Sequence, residues 1–520
     1  MQSIHSVTAI HSNGPAMLRS MRIGKPKLTM ACCLAALLAA GCVRPDPLSD
    51  ETVQQRVGAD LAGMYANQTP VAGAIGLNEA IARSLKYNLD KSLKTLEREL
   101  VSARLETVQM SMLPQAAVKA GWRGRDTYRG SSSRSLLTNR QSLETSTSED
   151  LNVRSTDLHA IWNVLDFGLT YFRSRQESDQ VLIAEERRIK TIQNLIQDTR
   201  DAYWRAVASE RLLPEIRTTL GMIDDAIARS SKVANNGTAD PADELKLQHT
   251  LLVHKRELTE VRRKLALAKS ELAALMNLPP GTNFRLAAPR RLDLRAPGLG
   301  GSSTELAAIA LASRPELREE DYKGRIAEVE LKMAYVRLLP GIEISRGTNH
   351  DSNSFLYDRH WLDAGALATK NLMELVAAPR NIAFAETNIS VAEARRLALS
   401  MAVITQLHLS LQRLAVANEV LAVTSQLAIV DDRIADIAAS AERKDGGSAA
   451  EAIQAQSQRL VTQLQQYVAY SDVQNAYGRV LNSLGVFRMA PGAEDLELAE
   501  LTERVGQMLA DWRSVEVANR

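Results

Sequence analysis

From Leu251 onward, apolar residues recur every seven positions at Leu251, Leu258, Leu265 and Leu272, with His254, Val261, Ala268 and Leu275 interleaved three residues later. This is an a/d seam, and it predicts a coiled-coil helix over about residues 240–277. The same spacing at Ile189, Ile192, Ile196, Thr199, Tyr203 and Ala206, and again at Ile404, Leu407, Leu411 and Leu414, predicts two further long helices. The first is expected from Gly168 to about Asn235, a length of roughly 100 Å at about 1.5 Å per residue. A shorter helix over about 77–112 and the return helix 240–277 together match that length, so stacked end to end they fit beside it. Pro214 is expected to kink or interrupt the first long helix. Pro379 is expected in the first turn of the second, where proline is tolerated.

Between the helices the period changes from seven to two. Leu113 to Asp126 follows the helix stop at Pro114 and sets Val118, Ala120 and Trp122 against Ala117, Lys119 and Gly121. Asp157 to Phe167 sets Leu158, Ala160, Trp162 and Val164 against His159, Ile161 and Asn163. Further strands are expected at Gly341–Arg346 and Phe355–Leu367. Alternation alone fits soluble hairpins and membrane strands equally well. Four strands cannot close a barrel, and open edges are not tolerated in a bilayer, so a membrane reading demands oligomerisation.

The chain is internally duplicated. A shift of 226 residues places Asn88-Leu89-Asp90 over Arg314-Pro315-Glu316 and Leu113-Pro114 over Leu339-Pro340. Asn236-Gly237-Thr238 corresponds to Gly446-Gly447-Ser448 at a shorter offset. The Ser/Thr/Arg-rich stretch 129–150 of the first copy, much shorter around 348–357 in the second, accounts for the difference.

The N-terminus reads as a targeting segment. Arg19, Arg22, Lys25 and Lys27 precede an apolar run from Leu28 to Gly41 that is too short to span a bilayer. The run ends in Leu38-Ala39-Ala40-Gly41-Cys42, which resembles a bacterial lipobox and implies a lipid-bearing Cys42. Val43 follows, not the aspartate of an inner-membrane retention signal, which implies the outer membrane. Residues 1–16 look like an upstream extension, with Met17 and Met21 as alternative starts. All three cysteines lie within the first 42 residues, so no disulfide framework or thiol chemistry is available downstream. With 63 basic and 61 acidic side chains there is no electrostatic footprint for nucleic acid.

Leu77-Asn78-Glu79-Ala80-Ile81-Ala82, Tyr87-Asn88-Leu89-Asp90, Trp162-Asn163-Val164-Leu165-Asp166-Phe167-Gly168 and Leu278-Pro279-Pro280-Gly281 occur in that order. Together with the duplication they resemble the TolC-like outer-membrane efflux factors over about residues 77–487. The second copy departs from the pattern with Asn371-Leu372-Met373-Glu374-Leu375 in place of the Asp-Phe-Gly signature. The resemblance implies a mainly α chain with a small β portion. Its duplicated coiled-coil helices would form a periplasmic tunnel, and four strands per chain would join a homotrimeric twelve-stranded barrel. It also implies a periplasmic adaptor, an inner-membrane transporter and outer-membrane lipid as partners, with no cofactor. The expected division is a signal peptide over 1–41, a lipidated linker over 42–76, a first repeat over 77–278, a linker over 279–303, a second repeat over 304–487 and a C-terminal segment over 488–520.

Two turns are expected to form the periplasmic tips. Asn236-Gly237 supplies left-handed conformations ahead of Asp240-Pro241, an N-cap and first helical residue, and Gly446-Gly447 precedes Glu451. By resemblance these turns receive the adaptor's hairpins; plain helix capping needs no partner. Asp243 and Glu451 fall near positions that line the family's narrow aperture, where a ring of carboxylates would attract cations. Favourable placement in a first helical turn explains them equally well. Asp431, Asp432 and Asp436 form a rival acidic group, expected on a solvated helix face.

No H-E-x-x-H, phosphate loop or nucleophile elbow is present, and the histidines are scattered, with His249 and His254 poorly spaced for one metal. An enzyme is not indicated. The function expected from the resemblance is the passive exit duct of a tripartite efflux system. The alternatives are the same duct in type I protein secretion and a coiled-coil envelope lipoprotein without a pore.

Overall fold

The computed structural model describes residues 47–142, 144–236, 240–287, 301–443, 449–489 and 492–513. The chain separates into two units, residues 1–63 and 64–520. In the first, the described residues consist mainly of helix α1, Asp50–Met64, which has no buried residue.

The duplication is visible in the element boundaries. Helices α2 (Leu77–Tyr87) and α3 (Leu89–Met110) recur 226 residues later as α7 (Ser303–Ser313) and α8 (Pro315–Val336). Strand β2 (Gln115–Gly124) recurs as β5 (Gly341–Asp351), β3 (Asn152–Asn163) as β6 (His360–Thr369), and the long helix α4 (Val164–Asn236) as α9 (Leu372–Arg443). The return of the first copy is α5 (Pro241–Ala266) followed by α6 (Ala268–Leu275); that of the second is the unbroken α10 (Ala449–Leu484). A two-residue parallel pair, β1 (Ala74–Ile75) with β4 (Arg285–Leu286), a single 3-10 turn at Ala493–Asp495 and a terminal helix α11 (Leu498–Arg513) complete the described elements.

Several boundaries differ from the sequence expectation. The helix expected over 77–112 is divided at Asn88, whose extended backbone ends α2 and whose side chain accepts the Lys91 N–H to cap α3. The return helix 240–277 is divided at Leu267. Strand β3 spans 152–163, not 157–167, because Asn163 Oδ1 accepts the N–H groups of Leu165 and Asp166 and starts α4 there. Strand β2 is trimmed from 113–126 to 115–124, β5 extends to Asp351 instead of ending at Arg346, and β6 begins at His360 instead of Phe355. The short loop of the second copy is therefore 352–359. Helix α4 runs uninterrupted through Pro214, and Pro379 is the eighth residue of α9 instead of lying in its first turn.

The expected seams pack as coiled-coil cores. Leu251, Leu258, Leu265 and Leu272 are all buried; the first three pack with Leu212, Ile216, Leu220 and Ile223 of α4 and Leu460 and Leu464 of α10. A larger core forms where the short helices meet the middle of the long ones, around Ile81, Leu85, Ile196, Tyr203, Val480, Phe487 and Leu501. Gly485, at φ +71°, closes α10 here; a Cβ would lie 2.9 Å from the Ser313 backbone carbonyl, so only glycine fits. The segment expected as a separate C-terminal piece joins this core, because α11 packs on α2 through Leu501 and Val505.

Candidate functional site: an inverted sheet and two helix tips

Strands β2, β3, β5 and β6 form one antiparallel sheet in that order. The register brings like faces together. Val118, Leu158, Thr348 and Leu362 form one row, and Ala116, Ala160, Arg346 and Ala364 another on the same face. The alternate face carries Lys119, Asp157 and Asn349 in one row with Trp361, and Ala117, His159, Gly347 and Asp363 in the next. Asn349 Nδ2 donates to Asp363 Oδ1 at 3.1 Å on this face, and a Cβ at Gly347 would collide with the His159 ring.

The polarity is the reverse of a soluble sheet. The edge strands β2 and β6 are exposed on both faces, but on the inner strands Leu158 is 47% exposed, whereas Asn349 on the other face is 7% exposed. Burial of apolar area stabilises by roughly 25 cal/mol per Å², so this exposed face is stable against an apolar medium and not against water. Trp162 stands at the base of that face. Its Nε1 donates to the Met112 carbonyl at 3.3 Å, and its ring meets Phe167 edge-on at 5.5 Å, a placement that suits an aromatic interface girdle. Both outer strands, β2 and β6, are paired on one side only.

A second unpartnered surface lies on α9. One seam of this helix is filled: Leu407, Leu414, Leu421, Ala428 and Ala435 are buried at seven-residue intervals. Another is bare. Val416, Val420, Val423, Leu427, Val430, Ile434 and Ile437 follow an unbroken 4-3 alternation, and each is exposed. These two stripes are why α9 is long and apolar enough, by composition, to cross a membrane.

The tips are partly described. Asn236 is the last residue of α4, while Gly237 and the pair Gly446 and Gly447 lie outside the described residues. Asp240 Oδ1 accepts the Ala242 N–H at 2.9 Å, the expected N-cap, with Pro241 as first helical residue. Asp243 is exposed and pairs with Lys246 at 2.9 Å on its own helix. Glu451 lies exposed in the first turn of α10. Cys42 also lies outside the described residues.

Polar ties next to the tips were not foreseen from the sequence. Ser230 Oγ donates to Glu244 Oε2 at 2.5 Å, each seven residues from Gly237. Asp431 is not on a solvated face: it is 7% exposed and accepts the Thr462 hydroxyl at 2.5 Å. Asp432 accepts the Gln463 amide at 3.1 Å, and Arg459 lies 3.6 Å from Asp432 and 3.8 Å from Asp436. Among the described residues no group of three or more His, Cys, Asp or Glu side chains could hold a metal.

Neither a protein-family model nor a curated protein matches the sequence. Solved structures do match the fold. The outer-membrane channel OprN is similar over 79% of this chain and 89% of its own, with 16% identity and a TM-score of 0.60. The Campylobacter jejuni CmeC outer membrane channel is similar over 91% and 97%, with 14% identity and a TM-score of 0.61. The open state of the Neisseria gonorrhoeae MtrE outer membrane channel is similar over 81% and 94%, with 15% identity and a TM-score of 0.60. The chain therefore has the TolC-like outer-membrane channel fold. Long paired helices and a four-stranded sheet with two free edges are its defining parts.

Proposed function

We propose that this chain is the passive outer-membrane exit duct of a tripartite efflux system, working as a homotrimer with a periplasmic adaptor and an inner-membrane transporter. The inverted sheet carries this reading: its exposed apolar face fits lipid and its polar face fits a water-filled lumen. The sheet runs antiparallel throughout, so β6 of one copy and β2 of the next would also run antiparallel, and three copies would close twelve strands. The bare seam of α9 supports the same assembly, because a 4-3 stripe of large aliphatic residues is stable in water only against another helix.

Mass measurement in mild detergent tests the assembly. Three copies are expected; a stable monomer with full strand content would overturn the reading.

The lipid anchor at Cys42 and the roles of the tips belong to this proposal. Small residues at Gly237 and Gly447 would admit an adaptor's helices closely, and a Gly237→Trp, Gly447→Trp double variant should lose export while keeping the trimer and its membrane insertion. Wild-type export by that variant would show that the turns are caps only. Asp243 and Glu451, repeated three times around an axis, would favour cations at the narrow end. Asp243→Asn with Glu451→Gln should then lower the cation preference of the conductance, and an unchanged preference would remove these residues from the aperture.

A further inference from the structure

The apolar face of the sheet carries two fixed charges, and both are arginines. Arg346 stands on β5 in a row with Ala116, Ala160 and Ala364, and Arg154 stands on β3 opposite Trp122 of β2. We propose that their guanidinium groups bind the phosphate groups of membrane lipids, Arg346 at the headgroup level nearer the helices and Arg154 at the outer one. The inference rests on the duct reading, which sets this face against lipid.

Three observations carry it. First, no acid accompanies the two arginines: Asp157, Glu343, Asp351 and Asp363 all fall on the opposite face. Second, both residues are exposed, and among the described residues neither guanidinium has an ion-pair or hydrogen-bond partner, so each is left to find its anion outside the chain. Both lie on inner strands, where pairing of β6 with β2 of another copy sets no new strand beside them. Third, their spacing fits a bilayer. Along β3, Arg154 lies six residues before Ala160, the neighbour of Arg346, a separation of about 20 Å at roughly 3.4 Å per residue. A strand tilt of about 40° brings this to about 15 Å along the membrane normal, and outward snorkelling of both side chains extends it toward the roughly 25 Å apolar band of such barrels.

The surroundings define the ligand class. Trp122 is level with Arg154, and Trp162 lies one row to the helix side of Arg346, as in the aromatic girdles at the two membrane interfaces. An arginine on a lipid-facing strand is costly at the midplane and nearly neutral at the interface, where its planar fork matches the oxygens of a phosphate. The rows between the two arginines hold no carboxylate, ammonium or guanidinium, so acyl chains meet no fixed charge there. A phosphate carried on acyl chains satisfies both features, and a free anion satisfies only the first.

Native mass spectrometry of the full-length protein in mild detergent, with added phosphatidylglycerol or diacylglycerol of the same chains, tests the proposal. The wild-type oligomer should retain phosphatidylglycerol and not diacylglycerol, and excess inorganic phosphate should not displace it. Arg154→Gln and Arg346→Gln should each weaken phosphatidylglycerol binding roughly fivefold, with oligomer mass and strand content unchanged. Arg154→Lys and Arg346→Lys keep the charge and lose the fork, so their binding should fall in between, and they carry the test if a Gln variant fails to fold. Undiminished retention in the folded variants, equal retention of diacylglycerol, or displacement by inorganic phosphate would overturn the proposal. A wild-type trimer that retains neither lipid would overturn it too, whereas a wild-type protein that forms no trimer would overturn the duct reading instead.

Discussion

Asp431 occupies a position of α9 that the same seam fills with Val403, Ser410, Ala417 and Thr424 at seven-residue intervals. A carboxylate there is accommodated because the fully buried Thr462 of α10 donates to it. Asp431→Ala leaves that hydroxyl, which also accepts from Gln458 Nε2 at 3.3 Å, without an acceptor for its proton, and should cost about 1–3 kcal/mol in denaturant unfolding. The double variant Asp431→Val, Thr462→Val should recover most of the loss, since removing both partners avoids the unpaired group. Equal loss in the single and double variants would contradict the pairing. The sequence hid this residue because Asp432 and Arg433 follow it directly, so a run of charges masked the heptad position. Asp198 and Asp472 are exposed at their tips, but partial desolvation by their neighbours, and then the nearby Asp201, raise the pKa of both, against the lowering effect of Arg479. A carboxyl raised in the folded state binds more protons there than in the unfolded chain. Its destabilising effect is absent below the unfolded value and develops as pH rises through the folded one. Asp472→Asn should therefore raise the melting temperature at pH 7 and leave it unchanged at pH 3. A gain that persists at pH 3 would point to another cause.

The joints between short helices show how one backbone can be held in two ways. Asn88 and Arg314 adopt the same extended conformation, φ −67° and ψ 127° against φ −66° and ψ 127°, at matching places in the two copies. Asn88 acts locally as a cap, whereas Arg314 is buried and reaches Glu316, Gln406 and the Asn482 carbonyl. Loss of a buried charge partner costs about 3–5 kcal/mol, so Arg314→Ala should destabilise the chain far more than Asn88→Ala, whose lost cap is worth about 1 kcal/mol. Similar effects of the two would refute the assignment. Long-period features were legible in the sequence: the heptad seams, the duplication and the four strands. Boundaries were not, because Asn163 ends β3 through side-chain bonds to the next turn, and Pro379 sits within a helix already started at Leu372. The bare seam of α9 was also unread, since the pattern from Val416 to Ile437 is interwoven with the filled one. Val423→Glu with Val430→Glu should leave helix content intact and abolish the oligomer on size-exclusion chromatography. A persisting oligomer would show that another surface holds the copies together.

For the whole molecule, the duplication gives two helical hairpins and two strand pairs that share one sheet, and that sheet is unfinished at both edges. The described residues leave two surfaces that water does not suit, one on the sheet and one on α9; in the proposed trimer, closure would cover the edges and the α9 stripe and lipid would cover the rest. In the proposed assembly, a lipid on Cys42 would add a tether to the outer membrane. Cys42→Ser should abolish acyl labelling and leave the channel fold unaffected, and unchanged labelling would exclude that cysteine as the anchor. In the proposed duct, three of these chains enclose a continuous water-filled path, which planar-bilayer recording of the purified trimer measures. Discrete, long-lived conductance steps that vanish in the Val423→Glu, Val430→Glu variant are expected. A folded, membrane-inserted trimer that passes no current under conditions that open its helical end would contradict the account.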